Sequence, residues 1–379
     1  MDARKQSSLL CHWAKEAGFD RAGIARLRQA EHGGYFLDWM ARGRHAGMGY
    51  LARRVEVRLD PGSLFTGAKS ALCVALHYQS EESDSAEADG LWSNVARYAR
   101  GVDYHDLMGR RLATLATRIQ AAFPDTVTRW YVDTGPVLER DLAAAAGLGA
   151  IGKNTCLLHP EAGSWFFIGE LFTSLDLAAA SIGIADPCGS CSRCLEACPT
   201  GALPKAYELD ANRCISYWTI EHRGTIPPAV RPMLGEWVFG CDICQEVCPH
   251  NDEALRVTEE ALHLPGERKA LTLDDLLVLD AETYREVFKG SPMRRAKLSG
   301  LKRNAVVAMG NSGDVNHVER LLMALTRGEP ELRGHAAWAL GRIGGELAAR
   351  GLEDATTEER DAVVRQEIVL ARESLGGSS

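Results

Sequence analysis

Eight cysteines between Cys188 and Cys248 are the residues of this chain most evidently placed for chemistry. The first four form the run Cys188-x2-Cys191-x2-Cys194-x3-Cys198-Pro199. Three thiolates at this spacing wrap one [4Fe–4S] cube, and the cysteine before the proline is turned towards a second cube. The second run, Cys241-x2-Cys244-x3-Cys248-Pro249, lacks its first cysteine, because Val238 stands in that place. Cys214 is the available substitute. The expected ligand sets are Cys188, Cys191, Cys194 and Cys248 for one cluster, and Cys198, Cys214, Cys241 and Cys244 for the other. Structural zinc sites use two Cys-x2-Cys pairs, often with histidine. They need neither the longer run nor the repeated Cys-Pro, so the spacing favours iron–sulfur. Cys11, Cys73 and Cys156 have no partner in the pattern, and Cys73 lies in an apolar stretch that reads as core.

Two cubes in series conduct electrons but do not define what is reduced. The chain has 379 residues, which is too long for one core and predicts two or three domains. The formal net charge of -8 excludes a global basic field, so any nucleic-acid contact has to come from a local patch. MRRAKLSGLKR (293–303) is such a patch, with Arg294, Arg295, Lys297, Lys302 and Arg303 and no acid. His222 and Arg223, beside the cluster loop, are further candidates for RNA contact. No apolar run approaches the roughly 20 residues of a membrane span. The start reads as an amphipathic helix and not as a signal peptide. Clustered cysteines without a secretion signal point to metal ligands in a reducing compartment, which places the protein in the cytoplasm. A monomer is expected.

Several elements must position these residues. Helical periodicity covers Ser7 to about Ala17, and Arg21 to Ala25 reads as a strand. A buried strand is expected at 69–78, then an acidic, solvated loop at 80–90. A helix over 104–122 precedes a strand at 128–133. Thr134-Gly135-Pro136 should open a helix running to about Gly147, with proline at its first position. Strands follow at 154–158 and 164–171. This alternation gives a mixed α/β domain over 1–180. The cysteine domain spans 181–255. Beyond it, over 256–379, RNAVVAMGNSGD (303–314) aligns with GHAAWALGRIGG (334–345), Ala305, Ala308 and Gly310 matching Ala336, Ala339 and Gly341. That internal repeat, with an amphipathic helix between, predicts HEAT-like helical pairs. The overall class is α+β.

The segments RYARGVDYH (97–105), VDTGPVLERDLAAAAGLGAIGKNT (132–155), EAGSWFFIGEL (161–171), CISYWTIEHRG (214–224) and FGCDICQEVCPHN (239–251) together resemble the epoxyqueuosine reductases. The resemblance runs from about residue 20 to the repeats. It implies a cobalamin-binding α/β core like that of reductive dehalogenases, beside a ferredoxin-like domain with two [4Fe–4S] clusters. It also implies reduction of epoxyqueuosine to queuosine in the tRNA anticodon loop, the last step of queuosine synthesis. An external electron donor is required. The family's proton-donating aspartate matches Asp133, at a predicted strand end where α/β folds present reacting groups. A carboxyl buried against a corrin face is expected to have a raised pKa and to stay protonated. The same resemblance puts Arg58, Tyr98, Ala99, Asp133, Leu157, Ile168, Ser216, Cys241 and Asp242 near the cobalamin. Two other classes compete: a cobalamin-dependent reductase of a small molecule, and an electron-carrier subunit. A small substrate needs neither the basic segment nor the repeats, and a carrier does not need the large α/β domain.

Overall fold

Strand β2, Ser70–His77, is buried at all eight positions, which requires helices on both faces of its sheet. A computed structural model describes residues 1–79, 90–179, 183–252, 254 and 259–376. The acidic stretch expected to be a solvated loop lies outside them, apart from Gly90, as do residues 377–379. The described residues divide into two compact units. The first takes those of 1–84, 101–212 and 242–263, and the second those of 85–100, 213–241 and 264–379.

In the first unit, β1 (Arg21–Arg26), β2, β3 (Thr128–Tyr131) and β6 (Phe166–Thr173) form a sheet of order β1-β2-β6-β3. Every pairing is antiparallel, with Gly23 opposite Cys73 and Cys73 opposite Glu170. The unit is therefore α+β, without the parallel crossovers of a doubly wound sheet. The helices that pack around this sheet or lead into it are α1 (Ala3–Glu16), α2 (Gly33–Ala41), α3 (Val55–Leu59), α4 (Tyr104–Ala122) and α5 (Glu139–Ala145), and two short ones, Arg193–Ala197 and Ile243–Glu246, lie in the cysteine loops. Asp2 caps α1 by accepting the Lys5 N–H at 2.8 Å, and Leu10, Trp13 and Ala14 face inward. One sheet face carries Ala71, Cys73, Ala75, Phe166 and Phe172 and packs with Val137, Leu142, Ala143 and Ala146 around α5. Gly23 lets α5 come close: a Cβ there would lie 2.0 Å from the Ala146 carbonyl oxygen. On the other face Met108 and Leu112 of α4 press against Gly169. Strands β4 (Ala150–Ile151) and β5 (Leu157–Leu158) make a small separate ribbon.

One expectation fails here in an informative way. The helix expected to begin at Pro136 begins only at Glu139. Asp133 has φ +57, and Thr134 N–H bonds to Val132 C=O at 2.5 Å across it. That is a three-residue turn with a positive central φ, the rare and strained kind. Gly135 follows in a place where a Cβ would meet the Tyr131 ring at 2.7 Å. The chain thus needs seven residues of loop before it turns helical.

The second unit contains α6 (Lys297–Ser312), α7 (Val318–Arg327), α8 (Pro330–Ile343), α9 (Glu346–Glu358) and α10 (Ala362–Gly376). Repeated small residues set their stacking. A Cβ on Gly310 would sit 2.9 Å from Ala339 of α8, and one on Gly341 would sit 2.8 Å from Ala371 of α10. Residues 213–241 belong to this unit, although the sequence assigns them to a cysteine domain. The physical reason is a set of polar side chains on α6. Asn304 donates to the carbonyls of Thr219 and Val238, both at 2.8 Å, and Asn311 to those of Arg231 and Gly235. Arg231 is fully buried and forms two bonds to Glu367 at 2.6 and 2.8 Å. Among the described residues no helix is long and apolar enough to cross a membrane.

Candidate active site and cluster-binding loops

The turn at Asp133 places its carboxylate against the start of α4. Tyr104 Oη donates to Asp133 Oδ2 at 2.9 Å, and His105 Nε2 lies 3.5 Å from the same oxygen. His105 Nδ1 is 2.7 Å from Oδ1 of Asp103, the residue that also caps α4. Tyr104 stacks on Phe167 with centroids 4.2 Å apart and on His105 at 4.1 Å. Both partners of Asp133 are thereby fixed by packing. Its own side chain keeps 60% of its surface open, as a group that must meet a substrate requires.

Charges around this cluster decide where the proton sits. Burial pulls His105 down, but the hydrogen bonds and charges of Asp103 and Asp133 outweigh it and raise His105 to about 9. The surrounding protein pulls Asp133 up. The close, charged imidazole of His105, the hydrogen bond from Tyr104 and the charge of Arg140 overcome this and hold Asp133 below its ordinary value. This corrects the expected raised pKa. At neutral pH the pair is an imidazolium beside a carboxylate, and the proton is on His105.

Behind the turn lie two further acids. Glu170 is fully buried on β6, and neither of its oxygens has a hydrogen-bond partner. Burial, then the charge of Asp133, raises it to about 8. Glu139 is pushed well up by burial and by the charges of Glu170 and Asp133. Its Oε1 and the Nε of Arg58 are buried without partners. Arg58 also donates weakly to Val137 C=O at 3.4 Å.

The other residues expected near a cofactor are placed as follows. Leu157 is core, only 3% exposed, and Ile168 is partly buried against the same cluster. Asp242 is 3% exposed, and its carbonyl accepts the N–H groups of Gln245 and Glu246 in the short helix Ile243–Glu246. In the second unit, Tyr98 is half-buried 6.2 Å from the Phe239 ring, and Ser216 precedes the π-helical turn Tyr217–Glu221. Cys241 is partly buried on the apolar cluster of Ile215 and Ile226. Ala99 is 0% exposed within the core. It offers no surface to a ligand and is removed from the cofactor contacts.

The cysteine loops of the first unit are held by GKNT, residues 152–155. Lys153 donates its backbone N–H to Cys188 Sγ at 3.4 Å, and its ammonium bonds the carbonyls of Gly189 and Cys191 at 2.6 and 2.8 Å. Asn154 donates to Cys244 C=O at 3.2 Å. After Cys248, His250 bridges the carbonyls of Pro160 and Pro187, and Asn251 bonds Ser164. Cys194 is pushed up to about 11, first by burial and then by Cys188, Cys248 and Cys191. Cys248 is likewise raised by burial and by Cys188 and Cys191. Cys156, without a partner in the sequence pattern, hydrogen-bonds Cys244. In the second unit, Cys214 C=O accepts the Trp218 N–H at 3.3 Å.

The basic residues of the second unit divide by burial. Arg294, Arg295, Lys297 and Arg223 are exposed, and Lys302 is half-buried. Arg295 forms two 2.8 Å bonds to Glu221, and Arg223 reaches Arg295 C=O at 2.6 Å. His222 packs on Trp218 at 4.5 Å. It is lowered by burial and by Arg303 and Arg223, which favours an uncharged ring. Arg303 is only 2% exposed, and its guanidinium bonds the carbonyls of Trp218, His222 and Gly224. It supports the 217–224 loop and is not available to a phosphate, which corrects its assignment to the RNA surface.

Comparison with known proteins follows the same division. Residues 58–134 match a family model described as epoxyqueuosine reductase QueG, DUF1730. Residues 187–251 match a 4Fe-4S double cluster binding domain, and 295–372 match HEAT repeats. A curated relative from Xanthomonas campestris pv. campestris, an epoxyqueuosine reductase, is 40% identical over 337 residues, covering 87% of this chain and 94% of its own. The chain belongs to the epoxyqueuosine reductase family. The Escherichia coli member is 36% identical, covering 90% of each chain. A crystal structure of an epoxyqueuosine reductase with an epoxyqueuosine-modified tRNA-Tyr stem loop matches with a TM-score of 0.90 at 31% identity, covering 98% of this chain and 99% of that one. One from Bacillus subtilis, 30% identical with a TM-score of 0.89 and coverage of 98% and 99%, is described with an aspartate catalytic loop swung out of the active site. Membership makes this chain an oxidoreductase with a 4Fe–4S double-cluster segment. His105, Tyr104, Glu139 and Glu170 escaped the sequence reading. An Asp-x-His pair at the head of a helix, Asp103 and His105, was the available signal for the first two.

Proposed function

We propose that this protein reduces epoxyqueuosine to queuosine in the anticodon loop of tRNA, with cobalamin as the reducing cofactor and Asp133 as the proton donor. The observation that carries this reading is the Asp133 turn. A strained backbone presents a carboxylate, half-open to solvent, against a charged His105 and a Tyr104 hydroxyl. Such strain is retained where the geometry serves function. The tRNA-bound relative supports the substrate.

The unpartnered buried atoms of Arg58, Glu139 and Glu170 fit a cofactor rimmed with amide donors and acceptors. With Tyr98, Leu157, Ile168, Ser216, Cys241 and Asp242 they would hold the cobalamin. When bound, cobalamin and the two clusters supply two electrons at a low potential. The protein's own work is proton delivery. Removal of the epoxide oxygen consumes two electrons and two protons. Asp133, a carboxylate at rest, takes a proton from His105, whose hydrogen bond to Asp103 keeps Nε2 directed at it, and passes it to the leaving oxygen; the second proton comes from solvent. Tyr104 holds the carboxylate during the exchange.

The cluster ligands proposed are Cys188, Cys191, Cys194 and Cys248, and Cys198, Cys214, Cys241 and Cys244. The domains are read as a catalytic segment over 1–180, a cluster segment over 181–255 and a tRNA-binding repeat segment over 256–379. Arg294, Arg295, Lys297, Lys302 and Arg223 are the proposed phosphate contacts, with His222 beside them. Their position has a physical logic. The first turn of α6 has no acidic residue, and cations there oppose the helix dipole. Lys297 also adopts φ +63. Both features cost stability and favour a bound anion. The test is turnover of a stem loop carrying epoxyqueuosine by protein reconstituted anaerobically with iron, sulfide and cobalamin. The expected product has lost one oxygen by mass. No turnover with cobalamin, or equal turnover without it, overturns the reading.

A further inference from the structure

We propose that Lys153 sets the reduction potential of the cluster held by the first cysteine run: its ammonium, fixed on the carbonyls of Gly189 and Cys191, stabilises the reduced cube by its charge. The proposal rests on the reading of Cys188 and Cys191 as ligands of that cluster and extends it to what tunes the electron supply.

All three polar groups of Lys153 engage the cysteine loop or its support. The backbone N–H donates to Cys188 Sγ at 3.4 Å, and the ammonium donates to the Gly189 and Cys191 carbonyls at 2.6 and 2.8 Å. The Lys153 carbonyl accepts the Tyr207 N–H at 3.0 Å. Cys191 N–H bonds Cys188 C=O at 2.9 Å, so the ammonium sits on the turn that joins two ligands. A neutral thiol is a weak acceptor. A sulfur on iron is a thiolate, and N–H donation to such sulfurs is one of the means by which a protein adjusts a cluster. The Cys188 contact fits that group.

The fold, and not the lysine's own bonds, puts Lys153 there. It lies in the turn between β4 and β5, where Gly152 N–H bonds Cys156 C=O and Thr155 N–H bonds Gly152 C=O, both at 2.8 Å. Arg140 of α5 holds the turn through the Thr155 carbonyl. A Cβ on Gly152 would lie 3.1 Å from Asn154 Oδ1 and 3.6 Å from Cys188 Sγ, so turn and ligand are closely packed. A cube with four thiolates is an anion, and reduction adds one more negative charge. A nearby cation therefore favours the reduced form and a nearby anion the oxidised one. Asp186 is such an anion: it accepts the Cys188 N–H at 2.9 Å and the Tyr207 hydroxyl at 2.6 Å. Lys153 counters that charge. The plain alternative is that Lys153 only ties the loop. Its loss would then lower cluster content or stability and leave the potential of the remaining clusters alone.

The test is an EPR-monitored redox titration of the full chain carrying both clusters, as wild type, Lys153→Met, Lys153→Gln and Lys153→Arg, with iron and sulfide counted. Cys188→Ala identifies which signal belongs to this cluster. In Lys153→Met that couple should favour the oxidised form roughly 3–10-fold more, a lowering of about 30–60 mV for a one-electron couple. Iron content and the other couple should not move. Lys153→Arg should restore the wild-type potential. An unmoved potential in Lys153→Met overturns the proposal, and so does an equal shift of both couples. If the methionine variant does not hold the cluster, Lys153→Gln, which keeps a donor without the charge, decides. A lowered potential there supports the proposal. A wild-type potential overturns it, as does loss of the cluster from this variant too, since the ammonium would then build the site and not tune it. Cys188→Ala also separates the two readings. If it keeps about eight irons and both signals, the ligand assignment fails and the tuning with it. If it loses one signal while Lys153→Met leaves the potential unmoved, only the tuning fails.

Discussion

The proton held between Asp133 and His105 rests on the imidazole at neutral pH, because two carboxylates flank the ring and only one hydroxyl and one distant guanidinium support the acid. The expected kcat/KM profile, which reports the free enzyme, has a basic limb near His105's value of about 9. Below it His105 is charged and can reload Asp133; above it the reservoir is empty. His105→Gln should abolish that limb and cost roughly 10²–10⁴ in kcat/KM. Asp133→Asn should lose a similar factor while keeping its clusters, and wild-type turnover in it would leave strain as a purely structural feature. Glu170 carries a different pH signature. Its folded pKa of about 8 lies above its unfolded value. The folded state therefore binds the extra proton between those values, and stability falls as pH rises through that window. Glu170→Gln should match the wild type near pH 5 and exceed it in apparent Tm at pH 8.5. An unchanged difference across that range would mean that Glu170 is solvated or paired. None of these acids is legible as a cluster in the sequence. Glu139 and Glu170 meet only because β6 pairs with β2 in one register and α5 lies across that face.

Single elements were legible where the signal is local. The helix expected over 104–122 is Tyr104–Ala122, and the strand expected over 69–78 is Ser70–His77. The cysteine runs were legible for the same reason, since ligand spacing is a property of adjacent residues. The α5 start was misplaced because Pro136 at a first helical position is a good signal only when the preceding turn is ordinary. At Asp133 it is not. Arg303 was misread because a sequence shows charge and not depth. Its period in α6 matches the buried Ala305 and Met309 face less obviously than its neighbours Lys297 and Lys302 match a basic run. The structure makes Arg303 the buttress of the π-helical turn, with three carbonyls depending on it. Replacing it with methionine leaves those carbonyls unpaired, at roughly 1–3 kcal/mol for each fully desolvated group. Arg303→Met should lower apparent Tm and loosen residues 217–224 in hydrogen exchange. The salt dependence of tRNA binding, measured on whatever folded protein remains, should keep its slope. A changed slope would return Arg303 to the RNA surface. At the cluster loops, Cys214→Ala should lose one cube and retain the other. About eight irons per chain in that variant, with both EPR signals intact, would refute Cys214 as a ligand.

The proposed tRNA binding has to work against the protein's own field. The formal charge of -8 repels a polyanion at long range. Binding therefore depends on a local patch whose ion release exceeds that repulsion, and the measured salt slope counts the phosphates engaged. Burial sets which cations can contribute. Arg294, Arg295 and Lys297 are exposed at the head of α6, whereas Lys302 is half-buried and pulled down by desolvation. Arg295 is already paired with Glu221, so its exchange of a carboxylate for a phosphate should release less than a free cation would. Side chains do not easily read the deep groove of an A-form stem, so contact here should be with the backbone and insensitive to stem sequence. The triple change of Arg294, Arg295 and Lys297 to Ala should weaken stem-loop binding and reduce the log–log salt slope by about two units, up to one per lost phosphate contact. Single-turnover reduction at saturating stem loop should change little, because the proton machinery at Asp133 is untouched. Iron and corrin content should equal the wild type's. If the triple variant binds with the wild-type slope from low to high salt, the phosphate site lies on another face of the molecule. If the slope is unchanged but saturating turnover falls, these cations instead orient the loop at the reacting centre. Swapping base pairs of the stem separates backbone contact from sequence reading, since an affinity that follows stem sequence would contradict contact through phosphates alone.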